Sequence, residues 1–465
     1  MLLEIKNQND FEGSKLFIGL SNYTGINLDK INFMISYSLA FVLAGFLRSS
    51  LSIEKTSTAV RHIFNIVVGV IVGYFCFGRQ VFIASMVYLS CIHLYIQFGV
   101  KYGSNTLDIS GPLMIMTAKV STLACSLHDG LSRRHEDLTP MQKKRLVKEK
   151  PRLLDYYSFM LSFLTLLAGP VTFYDEYQDF ISNRQMQEAQ KKISAKKLNS
   201  TITFVALKKA IYGYLPVIAV YPILNVYKIE NLLDTKFMET SSYTYQLWYM
   251  NMLVSVKRFQ YYYAWIIAEA ICNNAGFGLN GLDENNKPRM DLLTNINIWK
   301  LETAINMYEY SKYWNSATIR WLRFVIYDRM PNYKREWTYL TSTVWHGFQI
   351  GYYISAFHAA LYVYAERSVH KHVRPFIVSS GVFKFFYDIL TTFTTRFAIA
   401  FTGTFYVLSE ANTVGIYFLR ELYLMQLILT ISCIILPPIL LPIRKEPRLN
   451  NVKESENEND KNKVE

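Results

Sequence analysis

The chain has 465 residues, a hydrophobic fraction of 51% and a formal net charge of +13. Its apolar stretches recur almost from end to end without an obvious linker, which argues against a string of soluble domains. The positive charge is collected in loops and no aromatic-basic motif accompanies it, so we set nucleic-acid binding aside and attribute the charge to topology and anionic headgroups.

In chain order, the first ten residues lack the apolar core of a secretory signal, so the first span is expected to act as an uncleaved anchor. Several later stretches exceed the roughly 17 residues needed to cross a bilayer. Together they predict an all-α polytopic integral membrane protein. The candidate spans are Ile31 to Leu47, Ile63 to Gly78, Val81 to Gly99, Leu113 to Leu127, Tyr156 to Tyr174, Ala210 to Tyr227, Ser241 to Ala268, Trp337 to Ala365, Phe385 to Leu408 and Leu422 to Ile443.

The five cysteines are scattered within or beside these apolar stretches, with no CxxC pair and no histidine at ligand spacing. They are therefore expected to be small core residues, and neither a disulfide framework nor a metal site is predicted.

Two basic loops flank one of the apolar stretches, Tyr156 to Tyr174. The loops cover residues 133–152 and 191–209, and the positive-inside rule places both in the cytoplasm. A crossing helix between them would put them on opposite sides. Because Gly169-Pro170 can break a helix, we predict that this segment does not simply cross. An ordinary span with a basic lumenal loop is the alternative.

Residues 299–330 are predicted to form one amphipathic helix ending before Pro331, and it carries several candidate site residues. Arg320 and Arg323 are able to meet phosphate, or belong to a solvated basic face. Asn315 is predicted to be buried, as a core hydrogen bonder or as a functional amide. The apolar stripe contains Trp314, Thr318, Trp321 and Val325.

His346 lies within the neutral apolar run from Trp337 to Ala365, which is long enough to cross a bilayer. An intramembrane imidazole is either functional or a hydrogen-bond donor to a neighbouring helix. With an asparagine amide to stabilise an oxyanion, a histidine base can catalyse acyl transfer. No Ser or Cys lies in a recognisable nucleophile elbow between Asn315 and His346, which favours direct transfer.

Residues 444–465 are dense in charged and amide side chains and are predicted to be a disordered, solvated tail. Residues 1–443 are predicted to form a single membrane domain.

Several short motifs occur along the chain. They are Trp314-Asn315, Trp321-Leu322, Trp345-His346-Gly347, Gly351-Tyr352-Tyr353, residues 150–156 leading to 168–170, residues 258–265 leading to 273–278, and Asp283-Glu284-Asn285. Together they resemble the membrane-bound O-acyltransferase (MBOAT) family, in its lysophospholipid acyltransferase branch. The likeness covers residues 129–443 and is most specific in the middle third of the chain.

The resemblance implies a bundle of about ten to eleven transmembrane or re-entrant helices around a catalytic tunnel. It implies transfer of a fatty acyl group from acyl-CoA to a lysophospholipid with an ethanolamine, serine or choline headgroup. His346 and Asn315 match the catalytic residues of the family, and Arg320, Arg323, Trp314 and Thr318 are candidate substrate-binding residues. Acyl-CoA is a co-substrate, no metal or bound cofactor is implied, and the expected location is the endoplasmic reticulum.

Two alternatives remain at this point. One is a family member that acylates a protein or a sterol. The other is a transporter or receptor, with Lys257, Arg258, Glu269 and Arg396 on a substrate path. The sequence shows no inverted repeats, and these charges lie near the ends of apolar runs, where snorkelling explains them.

Overall fold

The computed structural model describes residues 13–77, 110–223, 226–232, 234–378, 381–408 and 420–441. Within these ranges the regular structure is helical, apart from one isolated bridge between Leu282 and Pro288. The α-helices are α1 (Ile18–Thr24), α2 (Leu28–Ser49), α3 (Thr58–Phe77), α4 (Ser110–Leu131), α5 (Pro140–Arg145), α6 (Leu153–Met160), α7 (Tyr174–Ile181), α8 (Arg184–Gln190), α9 (Ala195–Val220), α10 (Ile229–Leu232), α11 (Thr235–Thr240), α12 (Tyr243–Asn274), α13 (Ile298–Glu302), α14 (Met307–Tyr313), α15 (Ser316–Leu322), α16 (Lys334–His346), α17 (Ile350–His372), α18 (Arg374–Ile377), α19 (Gly381–Leu408) and α20 (Arg420–Leu440). Two short 3₁₀ helices and one π-helix complete the set, at His135–Asp137, Tyr221–Ile223 and Arg323–Tyr327.

The chain divides into two compact units. The first unit comprises Met1–Ala219, Gln260–Ile296 and Asn315–Thr338, and the second comprises Val220–Phe259, Asn297–Trp314 and Tyr339–Glu465. In the first, α2 packs on α3, and α3 contacts α6; in the second, α17 packs on α19 and α20. The predicted tail, residues 444–465, lies outside the described residues, as do Cys91 and the candidate span Val81 to Gly99.

Three described helical segments are long and apolar enough to cross a membrane: Leu28–Ser49, Thr58–Phe77 and Ala195–Ile223. The segment Leu28–Ser49 illustrates the pattern. It buries Tyr37, Ala40, Ala44 and Leu47 at helical spacing, whereas Leu39, Val42 and Phe46 on its other face are 46–66% exposed. A helix that is apolar on its outer face as well as its inner face is suited to lipid rather than water.

The apolar run from Trp337 to Ala365 is not one continuous helix. α16 ends at His346, and α17 begins at Ile350. The break occurs at Gly347, whose φ of 130° is a conformation that residues with a Cβ rarely adopt. The run is therefore corrected to two helices, and His346 is the last residue of the first.

The predicted amphipathic helix over residues 299–330 is also wrong as a single element. The region forms α13, α14, α15 and a π-helical turn. One reason is helix capping inside the region, because the side chain of Asn306 accepts a hydrogen bond from the Glu309 N–H and starts α14. Asn297, just before the region, caps α13 in the same way by accepting from the Lys300 N–H. Asn315 precedes α15 with a left-handed φ of 46°. The predicted common stripe from Trp314 to Val325 is therefore divided among elements.

The segment between the basic loops is broken, as predicted, although the break comes earlier than Gly169-Pro170. α6 ends at Met160, and turns lead from there towards α7. The buried ammonium of Lys119 secures these turns by donating to the Phe159 carbonyl (2.8 Å) and the Thr165 hydroxyl (2.6 Å). Gly169 is needed because a Cβ there would lie 2.3 Å from the Thr165 Cα. The side of the membrane on which each loop lies stays a prediction.

Candidate functional site

His346 is held by an aromatic cluster within the second unit. Its Nδ1 lies 3.3 Å from the Tyr406 hydroxyl, and the two rings are perpendicular at a centroid distance of 5.6 Å. Tyr406 in turn packs on Tyr352, with ring centroids 4.7 Å apart. The imidazole is half-buried. A hydrogen bond to Nδ1 selects the tautomer of a neutral imidazole and therefore defines the chemical role of Nε2.

Asn315 belongs to the first unit, where it begins α15. Its carbonyl accepts hydrogen bonds from the backbone of Thr318 (3.0 Å) and Ile319 (3.2 Å). Asn295, which the sequence did not single out, anchors the same turn. The Asn295 carbonyl accepts from the Ser316 N–H at 2.9 Å, and its buried side chain accepts from the Ala317 N–H at 3.0 Å. The left-handed backbone at Asn315 is thus fixed from the neighbouring segment.

The remaining candidate residues have different environments. Thr318 is buried in the first unit, whereas Trp314 belongs to the second and stacks on Tyr310 at a centroid distance of 5.8 Å. Arg323 lies 3.6 Å from Asp328, and its side chain is 43% exposed. Arg320 contacts Glu176 at 3.2 Å. The structure thus gives both arginines a carboxylate partner, and a role of either in phosphate binding stays a prediction.

Arg320 is part of a buried charge cluster of the first unit. Arg145 joins two carboxylates, with its Nη1 2.8 Å from Asp175 Oδ2 and its Nη2 2.7 Å from Glu176 Oε1. Glu176 is 4% exposed and also accepts a hydrogen bond from the Phe173 N–H. The cluster therefore joins the first basic loop to α7 and α15.

The two carboxyl groups of this cluster respond differently to the same surroundings. Burial raises the pKa of Asp175 to about 6, an effect that Arg145 only partly opposes. Burial also acts to raise the pKa of Glu176, but Arg320 and Arg145 together outweigh it and hold that pKa below its ordinary value. Glu176 is consequently ionised at neutral pH, and Asp175 is the first of the pair to take up a proton on acidification.

Asp175 is expected to make folding pH-dependent. Because its pKa is raised in the folded state, its contribution to stability is fully present below the ordinary value of 3.8 and is lost as the pH rises through about 6. The total is at most about 3 kcal/mol. The measurement is the melting temperature of the wild type and of Asp175→Asn in detergent. The wild type should therefore gain stability relative to the variant as the pH falls from 7 to 5, so that the difference between the two temperatures, wild type minus variant, increases. A difference that stays constant or shrinks over this range would contradict the raised pKa.

The internal charges that the sequence attributed to snorkelling are instead paired within the protein. In the second unit, Glu302 accepts from Arg258 at 3.3 Å and from Arg396 at 2.9 Å. In the first, the buried Glu269 accepts from the Lys209 ammonium and, at 2.7 Å, from the Thr294 hydroxyl. That interpretation is corrected for Arg258, Glu269 and Arg396. Their partners lie far along the chain, beyond the reach of a local pattern.

Asp129 is a further buried carboxylate that the sequence did not reveal as a site. Its side chain is 0% exposed and accepts two hydrogen bonds from Arg329, at 2.8 and 2.6 Å, and one from Arg133 at 3.4 Å. A bidentate pair of this kind is among the stronger ion-pair geometries. It joins the end of α4 to the segment after the π-helix, within the first unit.

Cysteines and metal ligands can be considered over the described ranges only. There, Cys76 and Cys272 are buried and free, as expected of core residues, whereas Cys125 is partly buried and Cys433 is exposed. Cys433 thus departs from the expectation. Among the described residues, no group of three or more His, Cys, Asp or Glu side chains has the arrangement to hold a metal ion.

Comparison with known proteins identifies the family. The model of the MBOAT, membrane-bound O-acyltransferase family matches residues 94–408. Lysophospholipid acyltransferase 6 of Drosophila melanogaster is 34% identical over 95% of this chain and 66% of its own length. Membrane-bound glycerophospholipid O-acyltransferase 1 of Mus musculus is 32% identical over 95% of this chain and 96% of its own.

A more distant relative extends the comparison to fungi. Lysophospholipid acyltransferase of Saccharomyces cerevisiae is 29% identical over 69% of this chain and 56% of its own length. The family match includes Asn315, His346 and Tyr406, the residues whose geometry is described above. The chain belongs to the membrane-bound O-acyltransferase family.

Proposed function

We propose that this protein transfers a fatty acyl group from acyl-CoA to the free hydroxyl of a lysophospholipid. The proposal is supported by relatives that are named lysophospholipid or glycerophospholipid O-acyltransferases. The acceptors proposed are lysophosphatidylethanolamine, lysophosphatidylserine and lysophosphatidylcholine. The proposed architecture is a bundle of about ten to eleven transmembrane or re-entrant helices around a tunnel, in the membrane of the endoplasmic reticulum.

The contact between Tyr406 and His346 carries the mechanistic part of this proposal. If Nδ1–H of the neutral ring donates to the Tyr406 oxygen, Nε2 holds the lone pair and is the basic nitrogen. Nε2 then removes the proton of the lysophospholipid hydroxyl as its oxygen attacks the thioester carbonyl. The side-chain amide of Asn315 is assigned to the oxyanion that develops on that carbonyl.

The attack forms a tetrahedral intermediate, and its collapse gives the products. The carbon–sulfur bond breaks, the new ester bond remains, and the imidazolium returns the proton to the departing CoA sulfur. No electrons are exchanged with a cofactor, and the thioester supplies the driving force, so we propose acyl-CoA as co-substrate with no metal requirement.

Two arginines are candidates to bind the CoA phosphates, and their exposure and carboxylate partners rank them. Arg323 is the first choice because its side chain is 43% exposed and its contact with Asp328 is long, at 3.6 Å. Arg320 is the second, since Glu176 already offsets its charge. Trp314 and Thr318 are close to Asn315 in the sequence, and we propose that they also contact the substrate.

The experiment that tests the function is an acyl-transfer assay on membranes containing the full chain. Labelled oleoyl-CoA is offered with each of a panel of lysophospholipids, with a sterol, or with membrane protein as acceptor. Membranes from uninduced cells provide the control. Acylation of one or more lysophospholipids above that control is expected. Labelling of the sterol or of protein alone would show that the acceptor belongs to that class instead. Equal transfer from free oleate in place of oleoyl-CoA would contradict acyl-CoA as the donor.

Tyr406→Phe is expected to lower kcat about five- to tenfold, because it removes one hydrogen bond worth about 1 kcal/mol and leaves the ring packing in place. KM for both substrates should remain close to the wild-type value, since Tyr406 is assigned a positioning role. Steady-state kinetics of the purified protein measures the two parameters separately. Tyr364→Phe, on the exposed side of α17, is the matched control. Equal kcat for the two variants would contradict the positioning role.

A further inference from the structure

A cleft of about 670 Å³ lies within the first unit, and none of the residues that line it is assigned to acyl transfer. It is formed by the C-terminal end of α2, the loop that follows, α8 with the residue before it, and the N-terminal half of α9. Both α2 and α9 belong to segments that are long and apolar enough to cross a membrane. Because the cleft is at their ends, it is expected at the boundary between hydrocarbon and headgroups.

Arg48 lines the cleft, and its guanidinium is held by neutral groups. Arg48 Nε donates to the Asn274 carbonyl at 2.7 Å. Its Nη1 donates to the backbone carbonyl and the side-chain oxygen of Asn199, at 3.0 and 2.9 Å. Its Nη2 donates to the Thr203 hydroxyl at 2.7 Å and to the Asn274 side chain at 3.4 Å. These contacts fix the guanidinium without neutralising its charge. All five N–H groups have acceptors, so Arg48 attracts an anion in the cleft through its charge.

Two further charged residues line the cleft. Lys55 is exposed and donates to the Ser49 carbonyl at 3.2 Å, and Glu54 is exposed beside it. With Arg48, these give the lining two positive charges and one negative charge. The cleft is therefore net positive, and an anionic group is the matching ligand.

One wall of the cleft is apolar and continues along α9. Phe204 and Leu207 line the cleft and are 67% and 50% exposed. Ile211, Leu215 and Ile218 follow at helical spacing and are 52–64% exposed. At 1.5 Å per residue the stripe from 204 to 218 is about 21 Å long. That length exceeds half of the roughly 30 Å hydrocarbon core, so the stripe can accompany an acyl chain through one leaflet.

We propose that this cleft binds an anionic phospholipid of the bilayer, with its phosphate bound by Lys55 next to the charge of Arg48 and one acyl chain along the apolar stripe of α9. Positive charge together with an adjoining apolar wall favours a lipid as the ligand over free phosphate, which has no apolar part to place on that wall. The bound lipid is not an acyl acceptor in this proposal. It is a structural ligand whose binding does not depend on the acyltransferase activity.

Native mass spectrometry of the purified, delipidated full chain tests the proposal without turnover. The probes are dioleoyl phosphatidylglycerol, dioleoyl phosphatidylcholine and CoA. One phosphatidylglycerol should be retained in preference to phosphatidylcholine. Lys55→Glu should weaken its retention about tenfold, since it reverses one charge at a membrane boundary. Glu54→Gln should strengthen it, and Lys287→Glu, on an exposed loop, should leave it unchanged.

Other outcomes would overturn the proposal. Equal retention of the two phospholipids, or the same loss in Lys55→Glu and Lys287→Glu, would mean that the cleft does not select an anionic lipid. Displacement of phosphatidylglycerol by CoA, with the same dependence on Lys55 and Glu54, would instead make the cleft a site for free phosphate ligands. These variants avoid Arg48, whose replacement would disrupt contacts with Asn199, Thr203 and Asn274 and confound binding with folding.

Discussion

Replacing His346 by glutamine is expected to lower the rate of acyl transfer about 10²- to 10⁴-fold, the usual contribution of a general base. Glutamine retains polarity at a similar size, but its amide does not accept and return a proton at neutral pH. The KM for acyl-CoA and lysophospholipid should change little, because the imidazole is assigned to proton transfer. Initial rates with labelled oleoyl-CoA, normalised to the amount of folded protein, measure the loss.

The matched control for this variant is His135→Gln. His135 is exposed in a 3₁₀ helix between α4 and α5, so its replacement should leave the rate at the wild-type value. If His346→Gln retained more than about a tenth of wild-type activity with its melting temperature unchanged, His346 would not be the base. Loss of both activity and thermal stability would point to a packing role beside Tyr406.

Replacing Asn315 by glycine is expected to lower kcat about 10²- to 10³-fold, the typical cost of removing one oxyanion donor. Glycine is the informative substitution because Asn315 has a left-handed φ of 46°, which glycine adopts without strain. Alanine would add backbone strain of about 1–3 kcal/mol to the loss of the amide. Comparison of the two variants, in kcat and in melting temperature, therefore separates the effect of losing the amide from the effect of backbone strain.

Asn286→Gly is the control for the backbone change. Asn286 has a φ of 55° and is exposed, so glycine should preserve both its conformation and the wild-type rate. Full activity of Asn315→Gly together with low activity of Asn315→Ala would show that the turn, rather than the amide, is required. That result would remove Asn315 from the chemistry and leave its role in starting α15.

The helical class and the first two long apolar spans could be predicted because they depend on local composition. α2 and α3 closely follow the predicted spans Ile31 to Leu47 and Ile63 to Gly78. Hydropathy averages over many residues, and it therefore places a span well but does not detect a single residue that ends one. The break at Gly347 is an example, since the apolar character continues on both sides of it.

The helices around Asn315 show a second limit. Periodicity joined residues 299–330 into one helix, but Asn297 and Asn306 each cap a new helix by accepting a backbone hydrogen bond. Asparagine at a cap and asparagine on a polar helix face produce the same local pattern. A third break, before α15, depends on a tertiary contact, because the side chain of Asn295 accepts a hydrogen bond from the Ala317 N–H.

The candidate site was predictable mainly through the family motifs. His346 and Asn315 are single polar residues in apolar surroundings, which raises interest without assigning a role. Tyr406 was not found, because it lies 60 residues from His346 in the chain and its hydroxyl is one of many in a protein with 34 tyrosines. Only the contact between the two side chains reveals it.

The ion pair between Arg396 and Glu302 joins parts of the chain that are made at different times. Their positions differ by 94 residues, so Glu302 has left the ribosome well before Arg396. An arginine at the centre of a crossing helix costs about 2.5–3.5 kcal/mol to insert. α19 covers the predicted span Phe385 to Leu408. If that span crosses as predicted, Arg396 enters the bilayer after Glu302, the carboxylate that it shares with Arg258. Under the predicted topology, integration of this late helix depends on an earlier segment, and nascent chains with Glu302→Ala should release α19 from the membrane more readily.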